Sequence, residues 1–243
     1  MLQERVCSKY LRPEKLSDPY SDFTPGMLKK LLKKDDSQFG WNDYSWLFGP
    51  HFPAGTYEEV MYFLPKAFAY LKNHENEALD LVTPIFGFCS KNIERLREDG
   101  LEALVKEQII ECLNYWVRDF RIEHYDKQMC VNKGWCLDYN DLVHNTETIC
   151  EGTTDLARFE TLSSLATDFT QSLAYHNGDI TKASWFIEFS RARFDVYTPS
   201  DLPEIQKLLS DVNLLNEAYA VVWPEVHEYK LTYWRDTFSK LGL

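Results

Sequence analysis

The sequence predicts an all-α fold, an irregular multi-helix bundle of about six to nine helices arranged largely as sequential antiparallel pairs. Apolar residues recur every three or four positions along much of the chain, which is the period of a helix with one buried face. Capping residues, glycines and prolines stand where these periodic segments begin and end. Sustained apolar–polar alternation around an Asn-Gly or Asp-Gly turn is missing from the sequence, so strands are not predicted.

The first clear helix is predicted over residues 59–71. Its apolar stripe consists of Val60, Phe63, Leu64, Ala67, Phe68 and Leu71. Thr56 and Glu59 form a capping-box pattern at its start, in which each side chain accepts a hydrogen bond from the other residue's backbone N–H. Pro65 has no backbone N–H to donate, so it predicts a kink or break near Leu64.

Residues 79–100 and 101–120 predict two antiparallel helices joined at Asp99 and Gly100. Glycine adopts the left-handed conformation that ends many helices, and Pro84 predicts a bend within the first helix. The second helix has the cleanest apolar stripe in the chain: Leu101, Leu104, Val105, Ile109, Cys112, Leu113, Trp116, Val117 and Phe120.

The remaining helices are predicted in the C-terminal half. One covers residues 156–173 and is ended by Asn177 and Gly178, and a shorter aromatic-rich helix follows over residues 180–196. Pro203 marks the start of a helix whose apolar residues stay in phase as far as Val222. A last helix is predicted over residues 226–241.

Length and composition predict one substantial core. The chain has 243 residues, of which 44% are hydrophobic and 15% aromatic, and a chain of this size buries about three quarters of its unfolded surface. We find no linker rich in glycine, serine or proline. We therefore predict a single domain over residues 1–243, in which an aromatic- and turn-rich segment, residues 1–55, packs on the helical body.

The charge of the chain restricts its partners. The formal net charge is −12 and the isoelectric point is about 5.0. This field repels phosphate backbones and anionic lipids, so we predict no nucleic-acid and no membrane partner. The same field speeds encounters with a cationic protein. The favoured partner is therefore a basic protein.

Catalytic, metal and targeting signals are weak. The N-terminus has no secretory leader pattern, so we expect a cytoplasmic protein whose six cysteines stay thiols. Cys89 and Cys112 lie on apolar stripes and are predicted core residues. Metal-ligand residues gather in one region, but without the usual zinc spacing; they are His124, Cys130, Cys136, His144 and Cys150. We predict no metal, no cofactor and no enzymatic activity.

The candidate binding site is an acidic run. Between Gly134 and Ala157 the chain has no lysine or arginine. The predicted contact residues are the acids Asp138, Asp141, Glu147, Glu151 and Asp155, with the rings of Trp135 and Tyr139 as anchors. Carboxylates beside aromatic rings can receive lysine and arginine side chains. The alternative is a solvated acidic face without a partner.

Three other patterns have ordinary structural explanations. Phe39, Trp41, Tyr44, Trp46, Phe48 and Phe52 form a dense aromatic segment, which either pins a connection onto the core or lines a ligand pocket with Asp43, His51 and Glu58. Residues 27–34 predict a short helix with one apolar and one cationic face, which either docks on the core with solvated lysines or contacts a membrane or an acidic partner; at about two turns it favours docking. Glu188 and Arg191 are predicted to form a surface ion pair at i,i+3 spacing.

In composition the chain resembles the acidic immunity proteins that bacteria use to block nuclease-type toxins, whose surfaces are basic because they hold nucleic acid. The resemblance implies an inhibitor that neutralises or sequesters a basic partner. It is one of composition and carries no site residues over. The alternative is a helical enzyme or small-ligand-binding protein with a pocket lined by the aromatics of residues 39–52.

Overall fold

The computed structural model of the chain describes residues 1–49, 53–73, 79–119, 163–195, 203–224, 234–236 and 238–239. Within these ranges every regular element is a helix and no strand occurs, which confirms the predicted all-α class. The chain divides into two compact units, Met1–Cys112 and Leu113–Leu243. The prediction of a single domain stays a prediction.

The N-terminal unit is built from short helices. They are α1 (Leu2–Lys9), α2 (Pro25–Leu32), α3 (Trp41–Phe48), α4 (Tyr57–Met61), α5 (Leu64–Asn73), α6 (Val82–Lys91), α7 (Ile93–Glu98) and the first part of α8 (Glu102–Asp119). Helix α1 packs on α5, and α3 packs on α6. Phe63, Phe68 and Phe86 are fully buried in the core. Segment 1–55 thus contributes helices to this core.

The predicted start and break of the helix at residues 59–71 are confirmed. The backbone N–H of Thr56 donates to Glu59 Oε2 at 2.9 Å, and the N–H of Glu59 donates to Thr56 Oγ1 at 3.4 Å. The helix is interrupted between α4 and α5. Pro65 then falls in the first turn of α5, where no backbone donor is needed.

The junction of α7 and α8 is a helix-ending motif centred on Gly100, which has a φ of 69°. The N–H of Leu101 donates to the carbonyl of Leu96, and that of Gly100 to the carbonyl of Arg97. This is the Schellman arrangement, which an apolar pair at these two positions usually accompanies, and the side chains of Leu96 and Leu101 are both buried. The predicted stop is confirmed. Pro84, which was predicted to bend the helix from within, lies in the first turn of α6.

Two glycines of the N-terminal unit should respond oppositely to alanine. Gly55 has a φ of 93°, and a Cβ there would meet Val60 Cγ2 at 2.7 Å, whereas a Cβ on Gly87 within α6 would meet nothing within 4 Å. We expect Gly55→Ala to lower the free energy of unfolding by about 1–2 kcal/mol and Gly87→Ala to raise it by about 0.5–1 kcal/mol. Urea denaturation measures both. A Gly55→Ala protein as stable as the wild type would contradict the first expectation.

The C-terminal unit is organised around one buried helix. Its helices are α9 (Ser163–Ala174), α10 (Ile180–Asp195), α11 (Pro203–Leu209) and α12 (Val212–Val222), with further helical residues at 234–236 and 238–239. Helix α10 packs against α9, α11 and α12. Every residue from Ala183 to Arg191 is buried, so α10 is enclosed on all its faces.

Two chain reversals shape this unit. Asn177 and Gly178 have φ values of 51° and 84°, which confirms the predicted end of the helix that precedes them. The helix predicted from Pro203 to Val222 is divided instead. The carboxylate of Asp211 accepts hydrogen bonds from the N–H groups of Asn213 and Leu214, so it caps a new helix at that point.

Candidate functional site

The acidic run predicted to bind a partner lies outside the described residues. This holds for Asp138, Asp141, Glu147, Glu151 and Asp155, and for the predicted anchors Trp135 and Tyr139. It holds also for His124, Cys130, Cys136, His144 and Cys150, and for His51 and Phe52. The assignment of a basic partner to this run therefore stays a prediction.

The described rings of the aromatic segment belong to the core. Phe39 stacks on Phe63 with ring centroids 5.2 Å apart. Tyr44 contacts Tyr70 at 4.9 Å, and Phe48 meets Phe88 edge-on at 5.2 Å. Phe39, Tyr44 and Phe48 are all buried. The stretch predicted to be turn-rich is helical over α3, which carries Tyr44 and Phe48. Of the two explanations for this segment, packing on the helical body accounts for these three rings.

Asp43 and Glu58, the proposed polar groups of an aromatic pocket, have separate structural partners. The carboxylate of Asp43 is buried, and it accepts hydrogen bonds from Lys34 Nζ at 2.7 Å and from the N–H of Gly40 at 2.9 Å. Glu58 pairs with Arg95, whose guanidinium lies 4.0 Å from the centre of the Tyr57 ring. Both acids are thus engaged by cations of the protein itself.

The ion pair of Glu188 and Arg191 is buried, so the predicted surface location is wrong. Arg191 Nε donates to Glu188 Oε2 at 2.7 Å, and the exposed fractions of the two residues are 0% and 1%. Glu188 also accepts a hydrogen bond from the indole N–H of Trp234 at 2.6 Å. The spacing correctly predicted the pair. It could not predict burial, because α10 is surrounded on every side.

Two predicted core cysteines are confirmed. Cys89 and Cys112 are buried free thiols, and burial raises the pKa of both, that of Cys112 to about 12. Neither is a reactive thiolate at neutral pH. Among the described residues, no group of three or more histidine, cysteine, aspartate or glutamate side chains is placed to hold a metal ion.

A cleft of about 880 Å³ lies in the N-terminal unit. One wall is the irregular segment of residues 12–23, and the other is helix α2 with Lys33. The cleft is partly open to solvent. Its volume falls within the range of protein sites that bind small molecules, about 300–1,000 Å³.

The cleft combines an apolar base with a cationic rim. Leu16 and Leu28 are buried beneath it, and Phe23 and Leu32 are partly exposed along it. The ring of Phe23 is held by Trp46 at 5.6 Å. The charged side chains that line the cleft are Arg12, Lys15, Lys29 and Lys33, against Glu14 and Asp18. The cleft therefore carries a positive excess on a protein of net charge −12.

Arg12 ties the irregular wall to the end of α2. Its guanidinium pairs with Asp36 at 3.1 Å and donates to the backbone carbonyls of Leu32 and Lys34. These carbonyls lie in the last turn of α2 and just after it, where carbonyl groups accept no hydrogen bond from an N–H of the helix. Arg12 thus acts in the architecture of the cleft, and its charge is already engaged.

The rest of the irregular wall is held by side chains as well. Glu59 accepts hydrogen bonds from the backbone N–H and hydroxyl of Ser17 at 2.8 and 3.0 Å. Asp18 accepts from the N–H groups of Phe23 and Asp22, and these bonds lower the pKa of its carboxyl group. Both walls are therefore fixed before any ligand binds.

The four lysines of residues 27–34 have three different environments. Lys29 and Lys33 are exposed and line the cleft. Lys30 is exposed but is not part of the cleft lining, and Lys34 is held by the buried Asp43. The predicted short helix docked by its apolar face is confirmed, with Leu28 and Leu31 buried. The prediction that its lysines are solvated fails for Lys34.

Sequence reasoning missed the wall opposite α2. Pro13, Pro19 and Pro25 interrupt residues 12–25, which indicates a segment that is not helical. This signal says nothing about the contact of Arg12 with the end of α2 or of Ser17 with Glu59, since both join residues far apart in sequence. Lys15 could therefore not be placed opposite Lys29 and Lys33.

Comparison of the chain with protein-family models, curated proteins and solved structures gave no match. Among the described helices, none combines the length and the apolar character needed to cross a membrane.

Proposed function

We propose that the chain is a non-enzymatic protein-binding module that neutralises or sequesters a basic protein, in the manner of an inhibitor of a nuclease-like toxin. The observation that carries the proposal is the run from Gly134 to Ala157, which has acidic residues and no lysine or arginine. Within the run no lysine or arginine offsets the acids; the nearest in sequence are Lys133 and Arg158, which flank it. It is therefore suited to receive cations from another molecule.

The ion pairs of the N-terminal unit support this assignment. Many of its acids are neutralised by cations of the same unit. Asp36 pairs with Arg12 and Lys66, Asp43 with Lys34, Asp99 with Lys9, Glu102 with Arg97 and Lys106, and Glu111 with Lys72. We therefore expect the acids without a cationic partner to lie in the C-terminal part of the chain, which contains the run without lysine or arginine.

The acids and the rings of the run would have different roles. Asp138, Asp141 and Glu147 would attract the basic partner and raise the association rate, which depends on long-range charge. Trp135 or Tyr139 would be buried by the partner and lengthen the lifetime of the complex. The inhibition would follow from covering a basic surface that the partner needs for nucleic acid.

Charge reversal tests the proposal. We expect the triple variant Asp138→Lys, Asp141→Lys, Glu147→Lys to associate at least about tenfold more slowly with a basic probe protein at low ionic strength, because the attraction becomes repulsion. Ribonuclease A and lysozyme serve as probes in stopped-flow or surface-based kinetics. The difference between variant and wild type should shrink as salt is raised to about 0.5 M.

A matched variant separates this run from net charge alone. Glu98→Lys, Glu107→Lys, Asp168→Lys changes the total charge by the same amount at three exposed acids of described helices. It should retain most of the wild-type association rate. If both triple variants slow association equally, the run is not the binding surface. The same follows if the variant of residues 138, 141 and 147 associates at the wild-type rate.

A further inference from the structure

We propose that the cleft between residues 12–23 and helix α2 binds a short acidic peptide segment that carries apolar side chains. This goes beyond the function proposed above, because it concerns another surface of opposite charge and a different partner. It rests on three features of the cleft: the positions of its lysines, its apolar base, and the prior fixing of both walls.

The lysines select an acidic ligand. Lys29 lies on α2, and Lys33, four residues later, is the C-cap residue of that helix with helical backbone angles. Both line the cleft, so their Cβ atoms are about 5–6 Å apart along one wall. Lys15 stands on the opposite wall. Within the described part of the chain, none of these three lysines forms an ion pair. Lys15 acts electrostatically on the carboxylate of Glu59, so carboxylates of a ligand would pair first with Lys29 and Lys33.

The attraction is local, and this limits the size of the ligand. The whole protein has a net charge of −12 and repels a large acidic partner. At physiological ionic strength, charges more than about 8 Å away are largely screened. A short segment in the cleft lies near three lysines, Lys15, Lys29 and Lys33, and two acids, Glu14 and Asp18, which leaves an excess of one positive charge there. The cleft therefore suits a peptide segment better than the broad face of an acidic protein.

The apolar base selects a ligand with apolar side chains. Leu32 and Phe23 line the cleft and are partly exposed, and Leu16 and Leu28, which also line it, are buried. Covering such surface contributes roughly 25 cal/mol per Å² of apolar area. A purely acidic peptide would leave this contribution unused. A suitable ligand has leucine or phenylalanine on one face, which contacts the apolar residues of the cleft, and glutamate on the other face, which pairs with the lysines. This is the pattern of an amphipathic helix bound in a groove.

The shape favours a peptide over a lipid. The cleft is partly open to solvent, whereas an enclosed cavity would remove a single hydrocarbon chain from water on all sides. Three lysines on two walls are also more cations than the headgroup of one lipid can contact. Several carboxylates spaced along a peptide can contact all three. Because Arg12, Ser17 and Asp18 already fix the walls, binding would lose little protein entropy.

The test uses the full chain and a fluorescein-labelled peptide of about 12 residues, made of Glu, Leu and Ala with glutamates four residues apart. Fluorescence anisotropy should give a Kd below about 1 mM for the wild type. Lys29→Glu, Lys33→Glu should raise the Kd at least about tenfold, and Lys30→Glu on the same helix less than about twofold. Carbodiimide coupling followed by mass spectrometry should join the peptide to Lys15, Lys29 or Lys33.

Several results would overturn the proposal. The first is that the peptide does not bind at 1 mM. The second is that a peptide with Gln in place of Glu, or with Ala in place of Leu, binds as tightly as the original. The third is that Lys30→Glu weakens binding as much as Lys29→Glu, Lys33→Glu does. Binding of phosphatidylserine vesicles that Lys29→Glu, Lys33→Glu abolishes, without peptide binding, would assign the surface to a membrane instead. The charge-reversed variant of residues 138, 141 and 147 should bind the peptide normally, so the two proposals fail separately.

Discussion

Glu188→Ala is expected to lower the free energy of unfolding by about 3–5 kcal/mol, because it removes one partner of a buried ion pair. Glu188 and Arg191 are 1% and 0% exposed. The substitution leaves the guanidinium in the interior without this carboxylate, and the indole N–H of Trp234 loses its acceptor at 2.6 Å. Urea denaturation followed by tryptophan fluorescence measures the change, since Trp116, Trp185 and Trp234 are fully buried.

Two further variants distinguish loss of charge pairing from loss of volume. Glu188→Gln keeps the side-chain shape and an acceptor for Trp234, and should lose less than Glu188→Ala. The double variant Glu188→Leu, Arg191→Met removes both charges, and should also lose less than Glu188→Ala alone, because no buried charge is left without its partner. The interpretation is wrong if Glu188→Ala loses less than about 1 kcal/mol, or if the double variant loses the most.

The fold was predictable where local chemistry decides it. The capping pair of Thr56 and Glu59, the proline at position 65 and the left-handed Gly100 act within a few residues of themselves, and the structure has each in its predicted role. The exposure of Glu188 was not predictable in this way. Whether a helical ion pair is buried depends on which elements surround α10, and these come from elsewhere in the chain.

The candidate site shows the same division. The sequence of residues 27–34 correctly predicted a helix with one apolar face, because the spacing of apolar residues along a helix is a local property. The separate environments of its lysines depend on distant residues: Asp43 takes Lys34, and the segment around Lys15 creates the cleft beside Lys29 and Lys33. The acidic run is a pattern of sequence alone, and its role as a docking surface stays a prediction.

Asp99 joins three parts of the N-terminal unit, and Asp99→Ala should lower the free energy of unfolding by about 2–4 kcal/mol. Its carboxylate accepts hydrogen bonds from Lys9 Nζ, from the hydroxyl of Tyr10 and, at 2.8 Å, from the hydroxyl of Tyr57. Hydrogen bonds to a charged acceptor contribute about 1.5–3 kcal/mol each, less where solvent reaches them. Tyr10 and Tyr57 are buried residues, and the hydrogen bonds of their hydroxyls to Asp99 are partly buried. Urea denaturation at pH 7 measures the loss, and the exposed neighbour substitution Glu98→Gln should be nearly neutral.

The same cluster predicts a dependence on pH. Burial raises the pKa of Asp99, but the hydrogen bonds from Lys9, Tyr10 and Tyr57 outweigh it and hold the pKa below its usual value. A carboxyl group whose pKa is lower in the folded state stabilises the fold above its unfolded pKa of about 3.9, and this contribution is lost as the pH falls through the folded value. The stability difference between wild type and Asp99→Asn should therefore be largest near neutral pH and shrink below about pH 4. A difference of the same size at pH 7 and pH 3 would show that Asp99 acts through its shape and not through its charge.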